Sequence, residues 1–346
     1  MLAIRVKESA EMPFIELQNV TKYFERGIMK KVRNYAVIDV SMKIYEGQII
    51  ALVGESGCGK TTLGKIIAGI IKPSEGRVLW LGKDIWKLGK KEFKEFRPLI
   101  QIVHQDPYAS LNPARTVYQT LAPVVKKYKN PRSKRELRKI IIQYLEYVGL
   151  TPPSYFLNKY PHHLSGGMRQ RLSIARAIIP SPKFIVADEP VSMIDMSLRL
   201  SVLKLMERLN KELGIGFIYI SHDVATARYF AGKALLALMY LGRIVEKGPM
   251  DVVLKNPLHP YLRAILSASP IPDPKFAGKK RRIELKSAEV SMDILLRGCP
   301  FSHRCPFAVK KCFEKNPPFR DFGNGHMVAC YLADELPEWV PPWREG

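Results

Sequence analysis

The sequence predicts an α/β fold built on a parallel sheet, and three observations carry that expectation. Ile49-Ile50-Ala51-Leu52-Val53 is a short apolar run that ends in a glycine-rich loop, as a buried parallel strand does when it feeds a helix. Residues 184–187 (FIVA) and 217–220 (FIYI) are similar runs with a helical pattern over 197–213 between them. Such β-α-β alternation requires a crossover and hence a parallel pair. Finally, the 346 residues are 47% hydrophobic and 25% charged, an ordinary globular composition. At roughly 150 residues per domain, the length accommodates about two cores.

Residues 1–13 read as a loose tail. From 14 to 106 the pattern is strand-rich, with the glycine loop opening a helix. Residues 107–164 turn polar, basic and helical, and over 135–148 the apolar residues Leu137, Ile141, Leu145 and Val148 lie on one helix face. Strand-like runs return over 165–250, the last of them at 234–241. Beyond Gly248 prolines and other breakers dominate, and PIPDP at 270–274 marks a boundary or edge. No repeat or low-complexity tract occurs. The run at 234–241 is the longest apolar one, far short of the ~20 residues that span a bilayer. The start, MLAIRVKESAEMPF, lacks a charged segment followed by an apolar core, so it does not read as a secretory signal. A soluble or peripheral protein of the cytoplasm is expected.

Lys and Arg number 55 against 32 Asp and Glu, a formal net charge of +23. The basic residues cluster in KKYKNPRSKRELRK (126–139) and KFAGKKRRIELK (275–286). Net charge alone names no partner. A solvated face working beside anionic lipid accounts for these clusters. Without an RNA-binding aromatic signature or a helix-turn-helix pattern, no nucleic acid partner is expected. Of five cysteines, Cys299, Cys305, Cys312 and Cys330 fall within the last fifty residues. In the cytoplasm such clustering suggests a metal or cluster site before disulfides. Their spacing lacks the CxxC knuckle typical of zinc, and an iron–sulfur cluster, zinc and ordinary buried thiols all stay open. Pro300 and Pro306 follow two of them and keep the backbone irregular.

Gly54-Glu55-Ser56-Gly57-Cys58-Gly59-Lys60-Thr61-Thr62 fits the P-loop pattern, between a predicted strand and a predicted helix. Its glycines let successive N–H groups face phosphate oxygens, Lys60 would reach the outer phosphates, and the Thr61 hydroxyl would ligate Mg²⁺. Cys58 fills a variable slot with no redox task. Downstream, the 184–187 run leads into Asp188 and Glu189. Asp188 would bind Mg²⁺ through water, while Glu189 would polarise the water attacking the γ-phosphate.

Leu164-Ser165-Gly166-Gly167-Met168-Arg169-Gln170-Arg171 resembles the LSGGQ signature of ABC-type ATPases, with Met168 in place of the common Gln. The resemblance implies a P-loop NTPase core in two parts (14–106 and 165–250), together forming an ATPase domain over 14–250 with the helical subdomain 107–164 inserted. It also implies a head-to-tail dimer holding two ATP molecules. In that family Ser165, Gly166 and Gly167 would reach the γ-phosphate bound by the opposite subunit. Gln105, in HQDP, looks like the Q-loop glutamine that senses Mg²⁺ and couples to the membrane partner. His222, in ISHD, resembles the switch histidine that contacts the γ-phosphate. Phe24, in VTKYF, sits where the family stacks an aromatic on adenine, although neighbouring Tyr23 is an alternative. Asp195, in SMID, occupies the D-loop.

GESGCGKTTLGKIIAG, QDPYASLNPARTV, YPHHLSGGMRQR, DEPVS and the later NPLHPYLRAILSASPIPDP resemble the F-type ATPase subunit of oligopeptide/dipeptide importers. That likeness covers residues 14 to 332. It implies ATP hydrolysis that drives import, a D-type ATPase partner, two transmembrane permease subunits and an extracellular substrate-binding protein. It also places the chain peripherally on the cytoplasmic face of the membrane. Nickel or oligosaccharide import is the alternative cargo, and a soluble ABC ATPase acting on ribosomes or DNA a remote one. GCPFSHRCPFAVKKC followed by VAC resembles this branch's C-terminal motif, which implies a [4Fe–4S] cluster on Cys299, Cys305, Cys312 and Cys330 within a 251–346 extension.

Overall fold

Alternation along the strands sorts the core into two layers. In the computed structural model, which describes residues 12–27, 32–232, 234–268, 283–287 and 296–339, Ile50 and Leu52 of one strand face one buried cluster and Ala51 and Val53 the other. Ile218 and Ile220 divide from Phe217 and Tyr219 in the same way. Both faces of the central sheet are therefore covered, which is why its strands read as unbroken apolar runs. Most of the 1–13 tail, the PIPDP segment and most of the 275–286 basic cluster lie outside the described residues.

The strands are β1 (Ile15–Arg26), β2 (Val32–Ile44), β3 (Ile49–Val53), β4 (Glu75–Trp80), β5 (Lys83–Asp84) and β6 (Ile100–Val103). They continue with β7 (Phe184–Asp188), β8 (Gly216–Ser221), β9 (Leu235–Tyr240), β10 (Arg243–Pro249), β11 (Arg320–Asp321) and β12 (Met327–Val328). One sheet has the order β2-β1-β4-β5 and is antiparallel. The other has the order β11-β12-β10-β9-β3-β8-β7-β6. Its five strands from β9 to β6 are parallel, as the sequence predicts, and β7 and β8 pair directly across the expected crossover. The crossover helix is Met196–Leu213. The antiparallel sheet packs Ile15, Leu17, Val78 and Trp80 into the same buried cluster as Leu63 and Ile66 of the helix Lys60–Ile67.

Over 107–164 the structure is helical. Val117–Lys129 starts with a capping box between Thr116 and Gln119 and stops at Asn130, which has a left-handed φ of 47°. Lys134–Tyr147 is capped by Ser133, and Leu137, Ile141, Leu145 and Val148 are all buried, confirming the single face predicted for them.

The C-terminal residues pack into the same core. β12 pairs antiparallel with β10, extending the main sheet by β12 and β11. Glu246 of β10 is fully buried; its carboxylate accepts the N–H groups of Leu258 and His259 and lies 2.7 Å from His326 Nε2. Burial pushes the Glu246 carboxyl above its ordinary range, and these partners oppose that. Phe301, Cys299, Cys305 and Cys312 belong to the same buried cluster as Leu236 and Tyr240.

The four C-terminal cysteines correct one expectation. They line one small pocket with His259, Phe301 and Leu332. All are free thiols, yet among the described residues no group of three or more His, Cys, Asp or Glu is disposed to hold a metal ion. The iron–sulfur assignment of Cys299, Cys305, Cys312 and Cys330 is therefore not supported. The geometric reason is that the four side chains pack among His259, Phe301 and Leu332 without converging on one metal position. Burial raises the Cys299 and Cys330 thiols to about 12 and Cys305 to about 11, in keeping with neutral packed thiols.

Candidate nucleotide site

The P-loop runs from the end of β3 into the helix Lys60–Ile67, and its shape follows from its glycines. Gly59, the N-cap, has φ 106°. A Cβ there would lie 1.9 Å from the Ala36 carbonyl oxygen, so only glycine fits. No side chain caps the helix, which leaves its first-turn N–H groups to an anion. Lys60 is buried and donates to the Gly54 and Glu55 carbonyls at 2.7 and 2.8 Å, which holds its ammonium against the loop. Ser56 and Gly57 are exposed, while Thr61 and Thr62 are half-buried in the first turn. Cys58 is buried, and burial raises its thiol pKa, in keeping with a packing role.

The ends of β7 and β8 supply the rest. Thr61 Oγ1 donates to Asp188 Oδ1 at 3.0 Å across the strand end. Burial raises the Asp188 pKa, and the Thr61 hydrogen bond works against that shift. Glu189 follows with a left-handed φ of 42°, fixed by its N–H to the Ile220 carbonyl at 3.0 Å and by Ser192 Oγ donating to its own carbonyl at 2.9 Å. A non-glycine residue held there is strained, and the strain aims the carboxylate. Gln105 Nε2 donates to one Glu189 oxygen at 3.0 Å, and His222 Nδ1 meets the other at 3.1 Å. Since a carboxylate only accepts, that nitrogen carries the proton. Gln105 and His222 are themselves exposed. Five residues named from separate motifs, namely Thr61, Gln105, Asp188, Glu189 and His222, thus form one linked cluster on three adjoining strand ends and a helix.

Other named residues stand apart from that cluster. Phe24 is 46% exposed on β1, with Lys22 Nζ 5.2 Å from its ring centroid. Tyr23, by contrast, is packed against Tyr35 and covered by Arg33. Ser165 caps the helix Gly166–Ile178 by accepting the Met168 N–H. A Cβ on Gly166 would lie 3.1 Å from the Met193 carbonyl oxygen, and one on Gly167 3.3 Å from Leu198, so these glycines sit against the 192–195 turn and the start of the helix that follows it. Asp195 is exposed and begins the helix Met196–Leu213 without a side-chain cap.

Residues that the motif reading missed also touch the loop. The Glu55 N–H donates to Tyr261 Oη at 2.7 Å, and Arg304 Nη1 donates to the Glu55 carboxylate at 2.7 Å and to Tyr240 Oη at 3.2 Å. The sequence separations are 206 and 249 residues from Glu55, and no local pattern signals them.

The donor set fits a magnesium nucleotide. A hydroxyl and a carboxylate at 3.0 Å are hard oxygen ligands of the kind Mg²⁺ takes, and Lys60 with the uncapped helix start offers charge and N–H groups for phosphates.

Comparison with known proteins points the same way. A family model described as ABC transporter matches residues 37–192, and one described as the C-terminal region of the oligopeptide/dipeptide transporter matches 245–312. The oligopeptide transport ATP-binding protein OppF of Salmonella typhimurium is 41% identical over 302 residues, covering 87% of this chain and 89% of that protein. AppF of Bacillus subtilis, also an oligopeptide transport ATP-binding protein, is 39% identical over 323 residues (92% and 97%). The dipeptide transport ATP-binding protein DppF of Escherichia coli is 38% identical over 329 residues (94% and 96%). Among solved structures, the dimeric post-hydrolysis state of the ATP-binding cassette MJ0796 bound to ADP and phosphate superposes with a TM-score of 0.59 at 30% identity. It covers 68% of this chain and 98% of its own, so part of this chain has no counterpart in it. The motifs, the fold and relatives matched over most of their length agree: this chain is an ATPase of the ABC transporter family, in its oligopeptide/dipeptide branch, and ATP with Mg²⁺ is its cofactor.

Proposed function

We propose that the chain energises a peptide importer by binding and hydrolysing ATP at the Lys60–Glu189 site. The observation that carries the chemistry is the grip of Gln105 and His222 on the two oxygens of Glu189, beside the Thr61–Asp188 pair. In this reading Lys60 and the N–H groups of residues 57–62 bind the phosphates, and Phe24 stacks on adenine. Thr61 and Asp188, with Gln105, hold Mg²⁺, which when bound neutralises charge on the phosphate oxygens. Glu189 takes the proton of the attacking water, while Gln105 and His222 keep its carboxylate oriented and exchange partners once a γ-phosphate is present. Peptide cargo is supported by relatives in the oligopeptide and dipeptide branch and by the match over 245–312.

The assembly belongs to the same proposal. A D-type ATPase subunit faces this chain, so that Ser165, Gly166, Gly167 and Asp195 complete the partner's site and the partner's signature completes this one. Two membrane subunits and an extracellular substrate-binding protein make up the rest. The domain division is 14–250 for the ATPase (core 14–106 and 165–250, helical subdomain 107–164) and 251–346 for the extension. Among the described residues no helix is long and apolar enough to cross a membrane. In this reading, attachment at the cytoplasmic face runs through the permease subunits.

The test is uptake into proteoliposomes holding the full complex, with labelled peptides, nickel and oligosaccharides offered in turn. ATP-dependent peptide accumulation that stops with Glu189→Gln is the expected result. Accumulation of either other cargo, or activity of this chain alone as a tight homodimer, overturns the peptide or heterodimer reading respectively.

A further inference from the structure

The C-terminal segment reaches the P-loop through two contacts on one residue. Tyr261, in the helix Pro260–Ala268, accepts the Glu55 N–H at 2.7 Å, and Arg304 holds the Glu55 carboxylate at 2.7 Å. The Glu55 side chain is 42% exposed, and the two groups that hold this residue come from the interior. Tyr261 is 1% exposed, and its ring lies 4.6 Å from that of Tyr240 and 5.3 Å from that of Phe301. The Arg304 side chain is 11% exposed and is backed by the rings of Tyr240 and Phe301. The rest of the loop is held by the cassette itself: Gly242 N–H donates to the Cys58 carbonyl at 2.8 Å, and Gly54 and Gly59 sit tight against the Met239 and Ala36 carbonyls. Glu55 is therefore the one P-loop position, among those with hydrogen bonds described, that the C-terminal segment secures.

We infer that Arg304 and Tyr261 are positioning residues for ATP binding, with Arg304 neutralising the Glu55 carboxylate at the mouth of the phosphate site and Tyr261 fixing the loop's entry. The inference rests on the ATP reading above. Its chemistry is charge: a nucleotide brings three or four negative charges to a loop whose second residue is itself an anion. Like charges on one loop repel, the more so the less water separates them. A largely buried guanidinium beside that carboxylate offsets the repulsion, and its Nη1, bonded to one Glu55 oxygen and to Tyr240 Oη, holds the side chain to one side. The C-terminal segment thereby becomes part of the nucleotide site.

The experiment measures fluorescent ATP-analogue binding to the full chain and the KM and kcat of the assembled transporter. Arg304→Ala is expected to weaken binding by about three- to tenfold, as one uncompensated and partly screened charge would. It should raise KM with kcat nearly unchanged. Arg304→Lys should restore most of the affinity, and Glu55→Gln combined with Arg304→Ala should also recover it, since the anion is gone. The deficit should shrink as salt rises. If Arg304→Ala does not fold, Arg304→Gln keeps the stem, drops the charge and carries the same expectation. Wild-type affinity in the charge-removing variant, or no recovery on adding Glu55→Gln, overturns the inference. Lys60→Ala run in parallel separates the two levels. Its failure to weaken binding would sink the ATP reading, whereas weakened binding there with none in the Arg304 variant would sink only this inference.

Discussion

His222 Nδ1 lies 3.1 Å from Oε1 of Glu189, joining the loop after β8 to the end of β7. The opposite oxygen is held by Gln105, which follows β6. Strands β6, β7 and β8 are adjacent and parallel, so their carboxyl ends open on the same edge. The carboxylate is thus fixed from both sides by groups that differ in what they can report.

Replacing Glu189 with Gln keeps the side chain's shape, leaves one acceptor oxygen where Gln105 and His222 now find two, and removes the carboxylate proposed as base. Turnover in the assembled transporter should fall by roughly 100- to 10,000-fold, while ATP binding persists and the closed dimer accumulates. Single-turnover hydrolysis alongside nucleotide binding checks this. Near-normal hydrolysis would remove Glu189 from its role.

Asp188→Asn preserves an acceptor for Thr61 but loses the negative charge proposed to face Mg²⁺. The Mg²⁺ concentration for half-maximal ATPase activity should rise by at least about tenfold. A magnesium titration at saturating ATP reads this directly. An unchanged midpoint would place the cation elsewhere.

Glu246→Ala tests how the C-terminal segment is fastened. Removal of the carboxylate leaves the Leu258 and His259 N–H groups and His326 unpartnered in the interior. Leaving several buried donors unsatisfied costs about 1–3 kcal/mol for each. Chemical denaturation should show that loss, and limited proteolysis should cut first beyond residue 256. A variant as stable as the parent would mean that these groups find water.

His259 makes stability depend on pH. Burial lowers its pKa to about 3 in the fold, against an ordinary value near 6.5 in the unfolded chain. Its ring stays neutral, with Nδ1 accepting the Tyr261 N–H. A depressed value means that the unfolded state binds the proton more readily. The contribution is therefore complete above about pH 6.5 and is lost as pH falls toward 3. Between pH 7 and 5 the loss should be on the order of 2 kcal/mol from this ring. Thermal melts of the wild type and of His259→Gln should show a smaller pH dependence in the variant. Parallel curves would assign the acid sensitivity to other groups.

The nucleotide chemistry was legible in the residues because it depends on short contiguous segments. A P-loop, a strand ending in Asp188-Glu189, and an SGG at a helix start are each recognisable from local backbone geometry and side-chain type. The parallel sheet was legible as well, since strands buried on both faces must be apolar throughout. Two things were not. The four cysteines are gathered by folding, as their clustering near the end of the sequence suggested, yet they line a small apolar pocket and no metal-holding group forms among the described residues. Spacing along the chain does not encode desolvation. Nor did any pattern place Tyr261 and Arg304 on Glu55, because that contact depends on β12 adding to β10 and on the Tyr240, Tyr261 and Phe301 rings packing together. The residue types and motif spacings of this chain therefore determined its fold class and its chemistry. Only the tertiary structure decided which distant side chains hold the loop, since such contacts arise from long-range packing that leaves no period in the sequence.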